Sequence, residues 1–352
     1  LTVPFARYVV MHQHEISFPF KRYQVQPVWR ADRPQRGRYR EFYQCDVDVV
    51  GSPSLMYEAE MVQIYDEVFA KLGLKVIIKV NSRKILEGIS EVIGVQDQFM
   101  DFTVALDKLD KIGFEGVTKE MLSRGIDQSA ISKLEKLLAM NRLEELQEAL
   151  QSSEKGMLGV SELHTLHQYL DHREVKNKLQ FDATLARGLN YYTGCIFEVI
   201  IDSEHYEGVK MGSIGGGGRY DNLTSNFGLK DVSGVGVSFG AERIYDLMEE
   251  LQLFPSITEG KIKTLFLSFD LEAHHFAFQC VGRLREKGIA CDIYPDPTTK
   301  MKKQMKYAND RNVPTVILIG EEEMASGLLS YKDMVTGEQL RLSIDDIEKC
   351  LS

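Results

Sequence analysis

Residues 30–44 read RADRPQRGRYREFYQ, an arginine-rich segment between two strand-like stretches. Pro34 and Gly37 mark a loop, and the stretches 23–30 and 39–50 on either side predict a long β-hairpin. Pro27 favours an edge position for the first strand, because proline cannot donate to a ladder. Residues 21–40 contain seven basic side chains and one acid, a local charge of +6 in a chain of net charge −10. The hairpin therefore has a strongly basic tip.

The second strand of this hairpin has one polar face. Side chains alternate along a strand, so one face carries Arg40, Phe42, Gln44, Asp46 and Asp48. A polar sheet face is either solvated or the floor of a site for a charged small molecule. For such a molecule, Arg30 suits a phosphate or carboxylate through its planar fork, and Gln44 and Asp48 suit an ammonium group.

Composition limits the class of protein. The 352 residues are 43% hydrophobic and 27% charged, which is ordinary for a globular chain of two or three domains. We find no apolar run near the ~18–20 residues of a membrane span, so no membrane partner is expected. The five cysteines include no CxxC pair, which argues for a reducing, cytoplasmic location. The acidic total argues against nucleic-acid binding by bulk charge and leaves local basic patches open.

Hydrophobic spacing divides the chain into regions. Residues 1–54 read as basic and strand-like, 55–75 as a helix, 76–80 as a strand, and 81–173 as a charged, almost wholly helical insertion. Strands are then predicted over Phe181–Leu185, Cys195–Ile201, Val209–Ile214 and Val235–Phe239, with a helix over Ala241–Leu251. From about residue 262 the order β-α-β-α-β predicts a separate small domain with a largely parallel sheet.

Three glycine-containing segments accompany these strands. In Leu185–Gly194, Arg187 precedes a glycine and Tyr191 and Tyr192 follow, which fits either a tyrosine-rich turn or a pocket wall. Gly215–Asp221, GGGGRYD, is either a flexible loop or a place of close approach to a ligand, from which Arg219 and Tyr220 project. Arg243 opens a helix directly after a glycine-rich strand, and a helix N-terminus with an arginine suits an anion.

Several common chemistries are excluded by sequence. The chain has no GxxxxGK[ST] loop and no GxSxG or Cys–His nucleophile pattern. The spacing GxGxxxG of residues 234–240 does not match a dinucleotide-binding fingerprint. His164 and His167 stand three apart on a predicted helix, but no acidic or cysteine pattern completes a metal site, so we expect none. Lys300, Lys302, Lys303 and Lys306 form either a solvated helix face or a contact to nucleic-acid phosphates.

Together these segments resemble one family. Residues 30–44 resemble motif 2 of class II aminoacyl-tRNA synthetases in the form of the histidyl-tRNA synthetase family. RGLNYY at 187–192 and GGGGRYD at 215–221 resemble that family's two histidine-binding stretches, and GVSFGAER at 236–243 resembles motif 3. The tail from about residue 262 resembles the class II anticodon-binding domain. Asn190 stands where many family members have aspartate.

The resemblance implies a fold. It implies an α+β catalytic domain, an antiparallel sheet flanked by helices, formed by residues 1–80 and 180–255. A helical insertion is expected over 81–179 and an α/β anticodon-binding domain over 260–352. Motif 1 would precede Leu1, so we expect the chain to be an N-terminally truncated member whose activity and dimer depend on upstream residues.

The resemblance also implies an activity: ATP-dependent activation of L-histidine to histidyl-adenylate and transfer to histidine tRNA, with Mg²⁺ on the ATP phosphates and a homodimer as the working form. Arg187 and Arg30 would be catalytic. The family's ATP-binding positions correspond to Arg30, Asp32, Arg38, Phe42 and Arg243. Its histidine-binding positions correspond to Thr2, Gln44, Asp48, Arg187, Tyr191, Tyr192 and Tyr220.

An alternative within the same fold is a non-catalytic paralogue, acting as a regulatory or tRNA-sensing subunit. Such a protein can lose the site arginines, whereas Arg30, Arg187 and Arg243 are all present here. Adenylate formation is an in-line displacement at phosphorus that depends on positioning and charge, which agrees with an arginine-rich site that lacks a nucleophile. The sequence therefore favours the enzyme.

Overall fold

The computed structural model describes residues 1–31, 33–140, 142–172, 174–187, 191–254, 262–297 and 300–351. The chain forms two compact units, Leu1–Leu253 and Phe254–Ser352. None of the helices in these ranges combines the length and apolar character needed to cross a bilayer.

The first unit contains a seven-stranded sheet and the helices around it. Its strands are β1 Phe20–Trp29, β2 Glu41–Val50, β3 Val76–Ser82, β4 Lys178–Phe181, β5 Cys195–Ile201, β6 Gly215–Tyr220 and β7 Gly234–Gly240. Its helices are α1 Thr2–Met11, α2 Met56–Lys71, α3 Arg83–Ile93, α4 Phe99–Leu106, α5 Leu109–Ser123, α6 Gln128–Leu138, α7 Leu143–Ala149, α8 Glu154–Leu170 and α9 Ala241–Glu250.

The sheet has the order β1-β2-β7-β6-β5-β3-β4, and every neighbouring pair is antiparallel except β3 with β4. The predicted antiparallel catalytic sheet is therefore confirmed. The predicted hairpin is β1 with β2, in a register that pairs Gln24 with Asp46 and Gln26 with Gln44. The strand with Pro27 lies at the edge of the sheet, as expected.

One face of the sheet packs on a helix. Tyr65 and Phe69 of α2 are fully buried, and their rings lie 4.9 and 5.7 Å from that of Phe239 on β7. Val47 and Val49 of β2 join the same hydrophobic core. Because alternate residues of each strand face the opposite way, the polar side chains of β2 are left on the other face.

The start of the chain differs from the prediction. Residues 2–11 form a helix, not a strand, with Phe5, Ala6 and Val9 buried against Val50 and Tyr220. Buried positions at helical spacing explain the difference, and Pro4 lies in the first turn, where its missing N–H costs nothing. The helical prediction for 81–173 is confirmed by α3–α8.

Two predicted strands are wrong. Residues 182–185 leave the sheet after β4, because the Asn81 side chain takes their carbonyls, Ala183 O at 3.3 Å and Leu185 O at 2.9 Å. Residues 209–214 are not a strand, and the Ser213 carbonyl accepts from Arg243 instead. The four glycines that follow form β6 themselves, paired on both sides.

The glycines of β6 are needed for that pairing. A Cβ on Gly217 would lie 2.2 Å from the Gly236 carbonyl oxygen, so a side chain there would separate β6 from β7. Close approach of two backbones therefore outweighs the low strand propensity of glycine.

The second unit is a five-stranded sheet with helices. Its elements are β8 Thr264–Ser268, α10 Leu271–Glu286, β9 Cys291–Ile293, α11 Met301–Asp310, β10 Thr315–Ile319, α12 Glu321–Ser326, β11 Leu329–Asp333, β12 Gln339–Leu342 and α13 Ile344–Leu351. The predicted β-α-β-α-β order is confirmed. The sheet order β12-β11-β10-β8-β9 is parallel only around β8, so "largely parallel" was wrong for β11 and β12. Gly327, with φ of 70°, lets the chain reverse after the short α12.

Candidate active site

A cavity of about 630 Å³ opens over the polar face of the seven-stranded sheet. Most of the sequence-predicted site residues line it, namely Thr2, Arg30, Arg38, Phe42, Gln44, Asp48, Arg187, Tyr191, Tyr192 and Arg243. Asp32 and Asn190 lie outside the described residues. Tyr220 lies behind the cavity wall, 2% exposed, with its hydroxyl 2.6 Å from Asp48 Oδ1.

The centre of the floor is bare backbone. Strand pairing places Asp46, Ser238, Gly216 and Glu198 side by side across β2, β7, β6 and β5. The next row contains Asp48, Gly236 and Gly218. The glycines in these rows leave room for a ligand between the β2 carboxylates on one side and Arg187, paired with Glu198, on the other.

Asp48 is held in place by buried partners. It is 2% exposed, the Tyr220 hydroxyl donates to Oδ1 at 2.6 Å, and the Arg22 guanidinium lies 2.7 Å from Oδ2. Burial raises the pKa of Asp48 to about 6, and the Arg22 charge and the Tyr220 hydrogen bond oppose part of that rise. The group is therefore an anion at neutral pH that titrates close to the physiological range.

Gln44 connects the two ends of the site. Its Nε2 donates to Asp46 Oδ1 at 2.9 Å, and its Oε1 accepts from Arg30 at 3.2 Å. The Arg30 guanidinium also lies 5.0 Å from the centre of the Phe42 ring. Asp46, 3% exposed and lining the cavity, was missed as a site residue although it shares the face of Gln44 and Asp48. The alternation of the strand was the signal that could have identified it.

Three further arginines lie at the opposite end. Arg243, in the first turn of α9, donates to the carbonyls of Gly37, at 2.8 Å, and Ser213. Arg187 pairs with Glu198 at 2.8 Å. Burial lowers the pKa of Arg243, and the nearby charges of Arg38 and Arg187 lower it further. Clustered positive charge of this kind is stabilised by an anion such as a polyphosphate.

Two adjacent tyrosines form a wall. The rings of Tyr191 and Tyr192 lie 4.4 Å apart and their hydroxyls are 3.3 Å apart. The Tyr192 ring covers Gly218, whose Cβ would lie 2.9 Å from ring carbon Cδ1. Burial raises the pKa of Tyr192 well above its usual value, so its hydroxyl stays protonated and can donate.

Arg219 does not join Tyr220 at the site. It lies on the other face of β6, 3% exposed, with both carboxylate oxygens of Glu58 within hydrogen-bonding distance. Ser233 and the carbonyls of Ser52 and Ser54 take its remaining donors. The arginine is thus a structural cation that joins α2 to the sheet.

The donor set at the site does not form a metal centre. Over the described ranges, no three histidine, cysteine, aspartate or glutamate side chains come together as metal ligands. Magnesium usually keeps several waters and takes one or two carboxylates together with substrate phosphates. Glu242, which lines the cavity at the arginine end, fits that minimal role.

The arrangement is suited to binding a zwitterion beside a polyphosphate. An ammonium group fits at Asp48 and Gln44, anions fit at the arginines, and the tyrosines offer hydroxyls to a polar ring.

Comparison with protein families shows which family the chain belongs to. A family model described as "Histidyl-tRNA synthetase" matches residues 1–244, and one described as "Anticodon binding domain" matches residues 261–352.

The chain belongs to the histidyl-tRNA synthetase family.

Curated relatives are similar over nearly the whole chain. The histidine–tRNA ligase of Christiangramia forsetii is 55% identical over 358 residues, which cover 100% of this chain and 77% of that protein. The histidine–tRNA ligase of Phocaeicola vulgatus is 53% identical over 353 residues, 99% of this chain and 76% of that protein. These relatives favour the histidyl-tRNA synthetase function over the regulatory paralogue.

Solved structures agree on the fold. The histidyl-tRNA synthetase from Nostoc sp. PCC 7120 has a TM-score of 0.84 and 28% identity, covering 99% of this chain and 81% of that one. A second structure is titled as an ATP phosphoribosyltransferase regulatory subunit/histidyl-tRNA synthetase from Bacillus halodurans. It has a TM-score of 0.70 at 23% identity and covers 90% of this chain and 77% of that one, which shows a shared fold alone.

Replacing Gly236 by alanine tests the bare floor. The new Cβ would lie 2.1 Å from Asp48 Oδ1, and Asp48 is held from two other sides by Tyr220 and Arg22. We expect the KM for histidine to rise at least about tenfold, the usual scale for displacing one charge-assisted contact, with little change in the KM for ATP. The matched control, Gly282→Ala on α10, adds a methyl into open space and should leave both constants unchanged. A Gly236→Ala protein with unaltered histidine KM contradicts the site geometry.

The pKa of Asp48 predicts a pH dependence. Because burial raises this pKa to about 6, lowering the pH through 6 protonates the carboxyl and removes the charge that an ammonium needs. We expect kcat/KM for histidine to fall about tenfold per pH unit below 6. Asp48→Asn should be weaker than wild type at pH 8 and should lose this step. The substrate imidazole titrates in the same way with both proteins, so the step must appear in the ratio of the wild-type kcat/KM to that of Asp48→Asn. A ratio that is flat between pH 5 and 8 contradicts the role of Asp48.

Proposed function

We propose that this chain catalyses the ATP-dependent activation of L-histidine and transfers the histidyl group to histidine tRNA. The observation that carries the proposal is the presence of Arg30, Arg187 and Arg243 in the same cavity as Gln44 and Asp48. The arginines provide for a triphosphate and the amide and carboxylate for an amino acid. Relatives at about half identity that are named histidine–tRNA ligase support the substrate.

ATP is assigned to the arginine end of the site. Arg30 contacts the α-phosphate, with Phe42 beside its guanidinium for stacking, and Arg38 approaches from the hairpin tip. Arg243 holds the γ-phosphate, supported by its fixed contacts to Gly37 and Ser213. Asp32 retains its proposed place in the ATP loop on sequence grounds alone.

Histidine is assigned to the carboxylate end. Asp48 and Gln44 bind its ammonium group, and Thr2 lines the same cavity. Tyr191 and Tyr192 face the imidazole. Tyr220 acts indirectly from behind the cavity wall, since its hydroxyl donates to Asp48 and fixes the orientation of that carboxylate. A pocket that bonds imidazole nitrogens rejects other amino acids, since its buried polar groups would then be left unpaired.

The reaction follows from this placement. A carboxylate oxygen of histidine forms a bond to the α-phosphorus while the bond from that phosphorus to the pyrophosphate oxygen breaks, and pyrophosphate leaves. Arg187 and Arg30 stabilise the charge that develops on the α-phosphoryl oxygens. A terminal ribose hydroxyl of the tRNA then attacks the carbonyl carbon of the adenylate, and AMP leaves. Proximity and charge account for the rate without a protein nucleophile.

Magnesium is proposed to bind through the ATP phosphates. Bound there, it neutralises phosphate charge and helps orient the leaving group. Glu242 is the described side chain at this end of the cavity that can add a carboxylate ligand.

The second unit is proposed to read the anticodon. Residues 261–352 match the anticodon-binding family model, and Lys302, Lys303 and Lys306 are exposed along α11. Exposed lysines on one helix suit phosphate contacts, which position a nucleic acid without specifying its sequence. We also propose the division into a catalytic core of 1–80 and 180–255, an insertion of 81–179 and an anticodon-binding domain of 260–352.

A homodimer is proposed as the working form. The face of the hairpin turned away from the cavity exposes large apolar side chains, including Tyr23 at 80% and Trp29 at 68% exposure, together with Val25 and Tyr43. A row of exposed apolar residues on an edge strand supports a protein interface. A cytoplasmic location is supported by five cysteines that are all free thiols.

Arg187 is the residue whose removal tests the proposed chemistry. Arg187→Ala should lower histidine-dependent exchange of pyrophosphate into ATP by about 10²–10³-fold, the usual loss for one transition-state donor, with the KM for histidine little changed. The control is Arg142→Ala, an exposed arginine of the helical insertion, which should behave as wild type. Wild-type protein that binds histidine but exchanges nothing would favour the regulatory alternative, and full activity in Arg187→Ala would refute the assigned role.

A further inference from the structure

Arg187 is carried by a segment without regular structure. Residues 182–187 follow β4 and belong to no strand or helix, and the Arg187 side chain is 45% exposed. A long side chain on such a segment reaches one reacting atom only if its supporting contacts restrict it. The residues that supply those contacts are therefore part of the catalytic arrangement.

Glu198 supplies the contact to the guanidinium. It lies on β5, pairs in register with Gly216 of the cavity floor, and is 5% exposed. Its Oε1 is 2.8 Å from the Arg187 terminal nitrogen. Burial raises the pKa of Glu198 and the Arg187 charge opposes that rise, so the carboxylate gains its main compensation from this arginine. A rigid strand thus holds the head of a side chain that begins on an irregular segment.

A second pair holds the backbone of the same segment. Lys79 on β3 is the register partner of Glu198 and lies 2.8 Å from Asp182. The Asn81 side chain donates to the Leu185 carbonyl at 2.9 Å. The segment is therefore attached to β3 through Asp182 and the Leu185 carbonyl, and to β5 through the Arg187 side chain.

We propose that Glu198 is the positioning residue that orients Arg187 for adenylate formation, with the Lys79–Asp182 pair fixing the segment that carries it. With one guanidinium nitrogen held by Glu198, the other terminal nitrogen lies 3.7 Å from where a Cβ on Gly216 would be, over the bare centre of the floor. That is where the α-phosphate has to lie between the ATP and histidine ends of the cavity. The inference rests on the proposed function and extends it to a residue that does not touch substrate.

Conservative variants of Glu198 separate positioning from folding. Glu198→Gln keeps the shape and a neutral acceptor, and should lower kcat of pyrophosphate exchange about 30-fold, because misplacement by about an ångström costs up to about 10²-fold and the neutral acceptor retains part of the contact. The KM for histidine should change less than about threefold, since Asp48 and Gln44 are untouched. Glu198→Asp, which keeps the charge, should recover part of the rate. The matched control is Asp66→Asn on α2, a buried carboxylate bonded to Asn177 and remote from Arg187 in its contacts, and its kcat should stay at the wild-type value.

A double-mutant cycle decides whether Glu198 acts through Arg187. In the Arg187→Ala background, Glu198→Gln should cause less than about a threefold further loss, because there is no side chain left to orient. A full further loss of about 30-fold, or equal loss in Glu198→Gln and Asp66→Asn, overturns the inference and leaves the proposed function standing. Wild-type protein without exchange overturns the proposed function and this inference with it.

Discussion

The burial of charge on one face of a β-sheet is the constraint on which this structure depends. Asp46, Asp48 and Glu198 are 3%, 2% and 5% exposed, and ionised groups so buried are stable only with partners. Arg22 forms an ion pair with Asp48, and Arg187 forms one with Glu198. Arg22 and Asp48 meet through the register of β1 with β2, and Glu198 on β5 meets Arg187 from the segment that follows β4. Strand register and chain path therefore specify both the fold and the site.

The second requirement is empty space between those charges. Glycine at Gly216 and Gly218 of β6, and at Gly236 and Gly240 on either side of Ser238 in β7, removes most side chains from the floor. The room that results lies between the β2 carboxylates and the Arg187–Glu198 pair. The loss of strand propensity is offset by ladder pairing on both sides and by α2 packed on the opposite face. A substrate with an ammonium at one end and a phosphate at the other fits this distribution, and on this ground we propose that a single cavity holds both reactants.

Much of the fold and of the candidate site could be predicted from the sequence where the hydrophobic periodicity or a motif was strong. Apolar spacing predicted several elements correctly, because local preference and tertiary packing favour the same structure there. These are the hairpin, the helices within 55–75 and 83–170, the strand Cys195–Ile201, and the helix that carries Arg243. Two of the failures share a cause, which is tertiary contact. Gly215–Tyr220 is a strand because of its neighbours, and residues 182–185 leave the sheet because one buried side chain, Asn81, takes their carbonyls. Asp46 was missed although strand alternation places it on the face of Gln44 and Asp48. Glu198 was missed because its importance comes from the strand register, which no local pattern encodes.

The central claim is that one cavity holds histidine and ATP at once, on either side of a bare floor. Calorimetric titration with a stable histidyl-adenylate analogue, bearing a sulfamoyl group in place of the phosphate, tests this most directly. The account predicts one binding site per chain, affinity far above that for histidine or ATP alone, and displacement of the analogue by each of the two substrates separately. Binding of histidine or ATP that continues undiminished on the analogue-saturated protein would contradict it.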